Sequence, residues 1–577
     1  MAALWQQLDD VELYMPGQSM TYDKWYSLVQ HYTKRLVHIS SVSPGEGENQ
    51  VAQEVLQLLC DDGVESIYAA VGLDPIENDL YQRQNAYAFL RGESPYTIVL
   101  LGHIDTVGTQ DYGPLEPYAL DPDALVAHLD TLIELTPELR EDVNVHSGDW
   151  MFGRGTADMK SGVAVNIAVM RYLARQASQG ELALSIVMLA TRDEENESAG
   201  VLQAVRFLLR LREQYGLNYI GAINTDYTTS LYPGDPHRYV YTGTIGKLLP
   251  SFLIIGRESH VGDPFDGLDA NLLAAELIRN LSMSDDLCDS VRGQIAPPPV
   301  TLHATDLKSH YDVQLPFAAY FYLNMLTLTS GPDVLLERLC HYAERTLAQL
   351  LERIDATERR WLRAGGNAAR AEQLQPRSGI VLTYAELYSE AVQRLGGEFV
   401  TRELDMEWKR WPAELDKRER CLHLVYRLWT LSGKAGPAVV IYYSPPYYPY
   451  VAPSPCVLHD ATTALVKAHP EINLMQEEQF PFLSDISYLR IEEDLDLSVL
   501  KANMPVWQEA DAPPHPGSYT LPLEAIRELD LPFINFGAYG RGAHQRGERV
   551  LMSYSFGVLP QLVYELIENV ARLVEQK

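Results

Sequence analysis

Six side chains in this sequence stand where chemistry can be done: His103, Asp158, Glu194, Glu195, Asp226 and His544. The run Thr97-Ile-Val-Leu-Leu-Gly stops at His103, and Asp105 follows two positions later. With one residue between them, the Asp105 carboxylate is expected to hydrogen-bond the far nitrogen of the imidazole. That bond fixes the tautomer and raises the basicity of a nitrogen facing a metal. Asp158 follows Gly153-Arg-Gly-Thr-Ala, whose glycines permit tight turns and close backbone approach. The adjacent Glu194 and Glu195 come after the apolar run 182–190, Asp226 after 219–223, and His544 after 531–536. Seen singly, His-x-Asp is a polar pair, Asp158 an N-cap and the acidic loop a solvated surface. Together they gather two imidazoles and three or four carboxylates, more negative charge than burial tolerates without cations. Nitrogen and oxygen donors with no thiolate suit two divalent ions, zinc first, with cobalt or manganese as competitors.

The elements that must position these groups follow from the hydrophobic pattern. The unbroken apolar runs 97–101, 182–190, 219–223 and 531–536 have the character of strands covered on both faces. The carboxyl ends of such strands are where open α/β sheets place their ligands. A further strand is expected over 87–90, and helical spacing runs over 25–37, 50–59, 163–174, 461–467 and 558–573. The polar, proline-punctuated stretch 108–147 reads as a surface insertion with one helix near 124–135.

Near residue 241 the character changes. Residues 246–255 alternate like an antiparallel strand, and 256–271 lead into a helix. Helices are expected over 333–362, 384–395 and 418–431, then a strand over 438–443. The tyrosine-rich 442–450 would cross back. The expected fold is α/β: a catalytic domain of mixed sheet flanked by helices (1–240 and 453–577) with an inserted α+β lid domain (241–452).

The 577 residues exceed a single hydrophobic core. A formal net charge of −32 argues against nucleic acid or an anionic membrane as partner, since the phosphate term is repulsive. Met1-Ala-Ala-Leu-Trp-Gln-Gln shows neither a basic nor an apolar leader region, and the longest apolar runs fall short of a membrane span. Five cysteines are dispersed without Cys-x-x-Cys, the pattern of reduced thiols, so a cytoplasmic location is expected.

In this order and spacing the sequence resembles the dinuclear-metal M20 peptidases, which include carboxypeptidase G2-like enzymes, aminoacylases and Xaa-His dipeptidases. The resemblance spans nearly the whole chain. It rests on Gly102-His103-Ile-Asp105-Thr, Gly153-Arg-Gly-Thr-Ala-Asp158-Met-Lys-Ser-Gly, Asp193-Glu194-Glu195, Asp226, His544 and the stretch Gly256-Arg-Glu-Ser-His260-Val-Gly-Asp-Pro-Phe-Asp-Gly. The length, and Trp150-Met-Phe before Gly-Arg-Gly, resemble the arginine-utilisation subgroup known as RocB.

The resemblance implies that Asp158 bridges two ions, with His103 and Asp226 completing one shell and Glu195 and His544 the other. It also implies a cis peptide at Asp158-Met159. Asp105 supports His103, Glu194 is the general base toward a metal-bridging water, and His260 steadies the oxyanion, in cis or from a partner subunit. The implied reaction is hydrolysis of an amide in a small peptide or N-acyl amino acid, with arginine or ornithine metabolism suggested by the subgroup. A homodimer through the lid is a further expectation, and the competing reading is a catalytically silent relative that binds or assembles.

Two departures stand out. Asn196-Glu-Ser-Ala-Gly200 replaces the family's Gly-rich tail after the glutamate pair. The usual acidic-x-Arg of a lid strand is absent after Leu323-Asn-Met-Leu, leaving Arg541 as a substitute anchor for a substrate carboxylate.

Overall fold

Four buried apolar runs become four neighbouring strands, as their composition requires. The computed structural model describes residues 20–576 apart from 146–147, 181, 493–494, 511 and 513–514. The N-terminal segment read for a leader lies outside the described residues. Among the described residues no helix is long and apolar enough to cross a membrane.

The chain divides into two compact units. The first runs to Thr244 and resumes over Ala452–Arg490 and from Leu523 onward. Eight of its strands, in chain order, are β1 (Ala70–Pro75), β2 (Gln84–Leu90), β3 (Tyr96–His103), β4 (Ser185–Thr191), β5 (Asn218–Asn224), β6 (Arg238–Tyr241), β7 (Leu474–Glu477) and β8 (Phe533–Asn535). They form one mixed sheet in the order β1-β2-β4-β3-β5-β8-β6-β7. The central strands β4, β3, β5 and β8 are mutually parallel, so their carboxyl ends share one edge. β1 and β2 run antiparallel at one side.

Helices cover the sheet: α1 (Tyr22–Val37), α2 (Gly47–Cys60), α3 (Lys160–Ser178), α4 (Ala199–Tyr215) and α5 (Leu559–Glu575). α3 is buried along nearly its whole length, with Val163, Ile167 and Met170 in one core with Trp25, Leu28 and Val29 of α1. At roughly 25 cal/mol per Å² of apolar surface, such burial is what holds the sheet edge in place. The expected helix near 124–135 is two short ones, Pro122–Ala127 and Leu129–Leu135, which meet at non-helical His128.

The second unit comprises Ile245–Val451 and Ile491–Pro522. Its five-stranded sheet runs Val300–Asp306, Ala318–Thr327, Gly246–Ile255, Ala438–Tyr448, Ile380–Thr383, antiparallel except for the last pair. The 33-residue helix Pro332–Ala364 belongs to this unit. Two details differ from expectation. The tyrosine-rich segment is not a crossing but a strand, buried throughout to Tyr448. Residues 491–522, expected in the catalytic domain, group with the inserted unit, where the Asn503 carbonyl accepts from Tyr443 N (2.8 Å) and the Tyr519 hydroxyl from Tyr447 N (3.1 Å).

Candidate metal centre

The parallel strands deliver the six side chains to one edge. His103 is the last residue of β3 and is 2% exposed. Glu194 and Glu195 follow the end of β4, and Asp226 lies two residues beyond β5. Asp158 precedes α3, and its bond to Met159 is cis. His544 sits in the loop after β8 with φ +61°. Close backbone approach holds this edge together. A Cβ on Gly537 would fall 1.8 Å from the Asp226 carbonyl oxygen, so only glycine lets the loop after β8 lie against the Asp226 backbone.

Two donor groups result. His103, Asp158 and Asp226 each offer an atom within 4.8 Å of the others, and so do Asp158, Glu195 and His544. Asp158 is common to both. Its Oδ1 is 3.1 Å from His103 Nε2 and its Oδ2 3.3 Å from His544 Nε2. His544 Nε2 is 2.9 Å from Glu195 Oε1, and Glu194 Oε2 is 3.8 Å from His103 Nε2. These nitrogen and oxygen donors fit a pair of hard or borderline divalent ions sharing one carboxylate.

The imidazole and carboxylate partners are held from behind. His103 Nδ1 is 3.2 Å from the main-chain oxygen of Asp105, whereas the nearest Asp105 carboxylate oxygen is 3.6 Å away. The main-chain carbonyl of Asp105 is thus the closer partner of the ring, with the carboxylate just beyond it still favouring the charged imidazole. Asp105 Oδ2 accepts from Glu195 N at 3.0 Å, tying the turn after β4 to the end of β3. Asp226 Oδ2 accepts from Ser484 Oγ (3.2 Å) and its Oδ1 from Tyr227 N (2.8 Å).

Sequence reasoning missed Glu548. Its Oε1 accepts from the main-chain nitrogens of Ala157 (3.1 Å) and Asp158 (3.2 Å), and its Oε2 from Arg154 Nη1 (2.7 Å). No local pattern announces a carboxylate whose partners lie nearly four hundred residues earlier.

The electrostatics are those of crowded carboxylates. Burial lowers the affinity of His544 for its proton, but hydrogen bonds to Asp158 and Glu195 outweigh it and raise the imidazole to about 11. His103 is likewise raised, against its burial, by Asp105 and Asp158. Burial lifts Glu194 well above the ordinary carboxyl range, opposed by His103 and reinforced by Glu195 and the nearby Asp485. Burial, then the Asp158 charge, lift Asp226 to about 7. Each of these shifts marks a site where added positive charge is stabilising.

Two expected participants stand differently. His260 belongs to the second unit and is exposed, with its Nδ1 accepting from Gly262 N at 3.0 Å. With Nδ1 accepting, the neutral ring carries its proton on Nε2. Arg541 is already engaged, its guanidinium paired with Asp142 and the Tyr539 hydroxyl.

The model of peptidase family M20/M25/M40 matches residues 124–503. Protein RocB of Bacillus subtilis (strain 168) is 31% identical over 551 residues, covering 93% of this chain and 94% of RocB. YqjN, an uncharacterised protein of the same organism, is 32% identical over 540 residues, covering 92% of this chain and 93% of YqjN. The di-peptidase Dug1p from Saccharomyces cerevisiae shares the fold, with a TM-score of 0.52 at 11% identity over 96% of this chain and 97% of that one.

Proposed function

The chain belongs to the M20/M25/M40 peptidase family as an M20-type metallopeptidase or amidohydrolase, and from that premise we propose that it hydrolyses an amide bond in a small peptide or N-acyl amino acid. The observation that carries the proposal is the pair of three-donor groups hinged on Asp158, with Glu194 beside them. His103, Asp158 and Asp226 would hold one ion and Asp158, Glu195 and His544 the other, zinc suiting the donor set best. Two divalent ions held there would supply Lewis-acid polarisation of the amide carbonyl and of water, and would favour the ionised form of Glu194.

The remaining work falls to the chain's own residues. Glu194 Oε takes a proton from the attacking water and delivers it to the leaving nitrogen, a role served by a carboxyl whose buried setting pushes its pKa upward. Asp105 fixes both His103, through its main-chain oxygen, and the Glu195 amide, through its carboxylate. His260, with Nε2–H available, is the donor assigned to the developing oxyanion. Arg541, though paired with Asp142, remains the basic side chain nearest in sequence to His544 other than Arg546 and is assigned to the substrate carboxylate.

A cationic substrate, as in arginine or ornithine metabolism, suits the acidic site. All five cysteines are unpaired, which supports a cytoplasmic location. A homodimer through the inserted unit completes the proposal.

The test combines ion content with turnover on a panel of dipeptides and N-acyl amino acids. Two ions per chain and hydrolysis that falls by about 10³-fold or more in Glu194→Gln, with the ions retained, are expected. Full ion occupancy without turnover on a broad panel would instead make the chain a silent, binding member of its family.

A further inference from the structure

The turn after β4 carries Glu194 and Glu195 and continues as Asn196-Glu-Ser-Ala-Gly200. Its shape is set by Asp193, the neighbour to which the reaction assigns no part. Asp193 is 1% exposed and adopts φ +65°. Its main-chain oxygen accepts from the nitrogens of Asn196 (3.2 Å), Glu197 (3.0 Å) and Ser198 (2.5 Å). Its carboxylate reaches both ends of the turn, Oδ2 accepting from Ala199 N (3.2 Å) and Oδ1 from Asn196 Nδ2 (3.2 Å) and Ser43 Oγ (2.9 Å).

That carboxylate is anchored in turn. Arg83 Nη1 lies 2.5 Å from Asp193 Oδ1 and 3.2 Å from Glu48 Oε2, while Arg83 Nη2 holds Asp79 Oδ1 at 2.6 Å. Arg83 and Glu48 are buried with Asp193. One guanidinium thus joins three carboxylates, a geometry its planar fork allows and a lysine ammonium does not. A buried ion cluster of this kind contributes little net stability relative to an apolar substitute, but it fixes position.

We propose that Asp193, clamped by Arg83, is a positioning residue that holds the Glu194–Glu195 turn in the geometry proton transfer requires. The Asp193 carboxylate ties down the turn at Asn196 and at Ala199. The proposal rests on Glu194 being the general base. A displacement of the base by about 1 Å is enough to cost roughly 10²-fold in rate.

The test uses the ion-loaded full chain. Asp193→Ala is expected to lower kcat at least thirtyfold with KM within threefold, and Asp193→Asn, which keeps one oxygen for Arg83, to fall between it and the wild type. Because Asp193→Ala leaves Arg83 short of a partner and threatens folding, Ser43→Ala and Asn196→Ala each remove one hydrogen bond without unpairing a charge, and each should lower kcat three- to tenfold. Hydrogen exchange supplies a readout independent of turnover: the amides of residues 196–199 should lose at least tenfold in protection in Asp193→Ala or Asn196→Ala, while the strands keep theirs. Wild-type kcat and unchanged protection in these variants would overturn the proposal. If the wild type itself hydrolyses nothing, the hydrolase reading falls, and the exchange data alone decide whether Asp193 organises the turn.

Discussion

At the scale of single residues, the site is a proton store that divalent ions would empty. Neighbouring carboxylates hold His103 and His544 above the ordinary imidazole value, His544 at about 11, so His544 carries a proton near neutral pH. For His544 the folded value exceeds the unfolded one. Its contribution to the ion-free fold is therefore present below about pH 6.5 and lost only as pH rises through about 11. A ligating imidazole must be neutral, so zinc binding at about pH 7 should release about one proton per chain or more, and affinity should strengthen as pH rises. Calorimetry in two buffers of different ionisation enthalpy reads this directly, and binding without proton release would contradict it. The donors were legible from residue type and spacing. The supports were not: the spacing His103-x-Asp105 permits either the main-chain or a carboxylate oxygen of Asp105 to meet the ring, and the fold brings the main-chain one closer while Oδ2 accepts from Glu195 N. Glu548 left no mark at all, since its partners, two main-chain amides and the Arg154 guanidinium, lie far away in sequence.

At the scale of elements, what was readable was the class of strand that ends in a ligand. Runs covered on both faces show unbroken hydrophobicity, and β3, β4, β5 and β8 each stop within a few residues of a donor or lead into a loop that carries one. The segment 442–450 resisted because Pro445 and Pro446 argue against a strand, yet the register shift between Ser444 and Tyr448 takes them up beside Gly246–Ile255. The loop after β8 has least freedom at Gly537, where an added Cβ would lie within 2.5 Å of two carbonyl oxygens and one carbonyl carbon of Thr225 and Asp226. Gly537→Ala should therefore displace the backbone at Asp226 and weaken ion binding at least tenfold, measured by zinc titration of the folded variant. Wild-type affinity would mean that the loop can yield there without moving the donor.

At the scale of the molecule, the two units illustrate where linear reading stops. The change of composition near residue 241 and the return near 452 follow from patterning, and the units change over at Thr244 and Ala452. The second visit of the chain to the inserted unit, Ile491–Pro522, is held by the main-chain oxygen of Asn503 and the hydroxyl of Tyr519, contacts that composition does not encode. With a net charge of −32 the whole chain is a poor host for further buried anions, so six acidic and imidazole groups on one sheet edge demand cations. Anomalous diffraction from crystals grown with zinc tests that demand most directly. Two peaks roughly 3.5–4 Å apart, one on each side of the Asp158 carboxylate, are the predicted result; a single peak, or two that leave Asp158 untouched, would contradict the account.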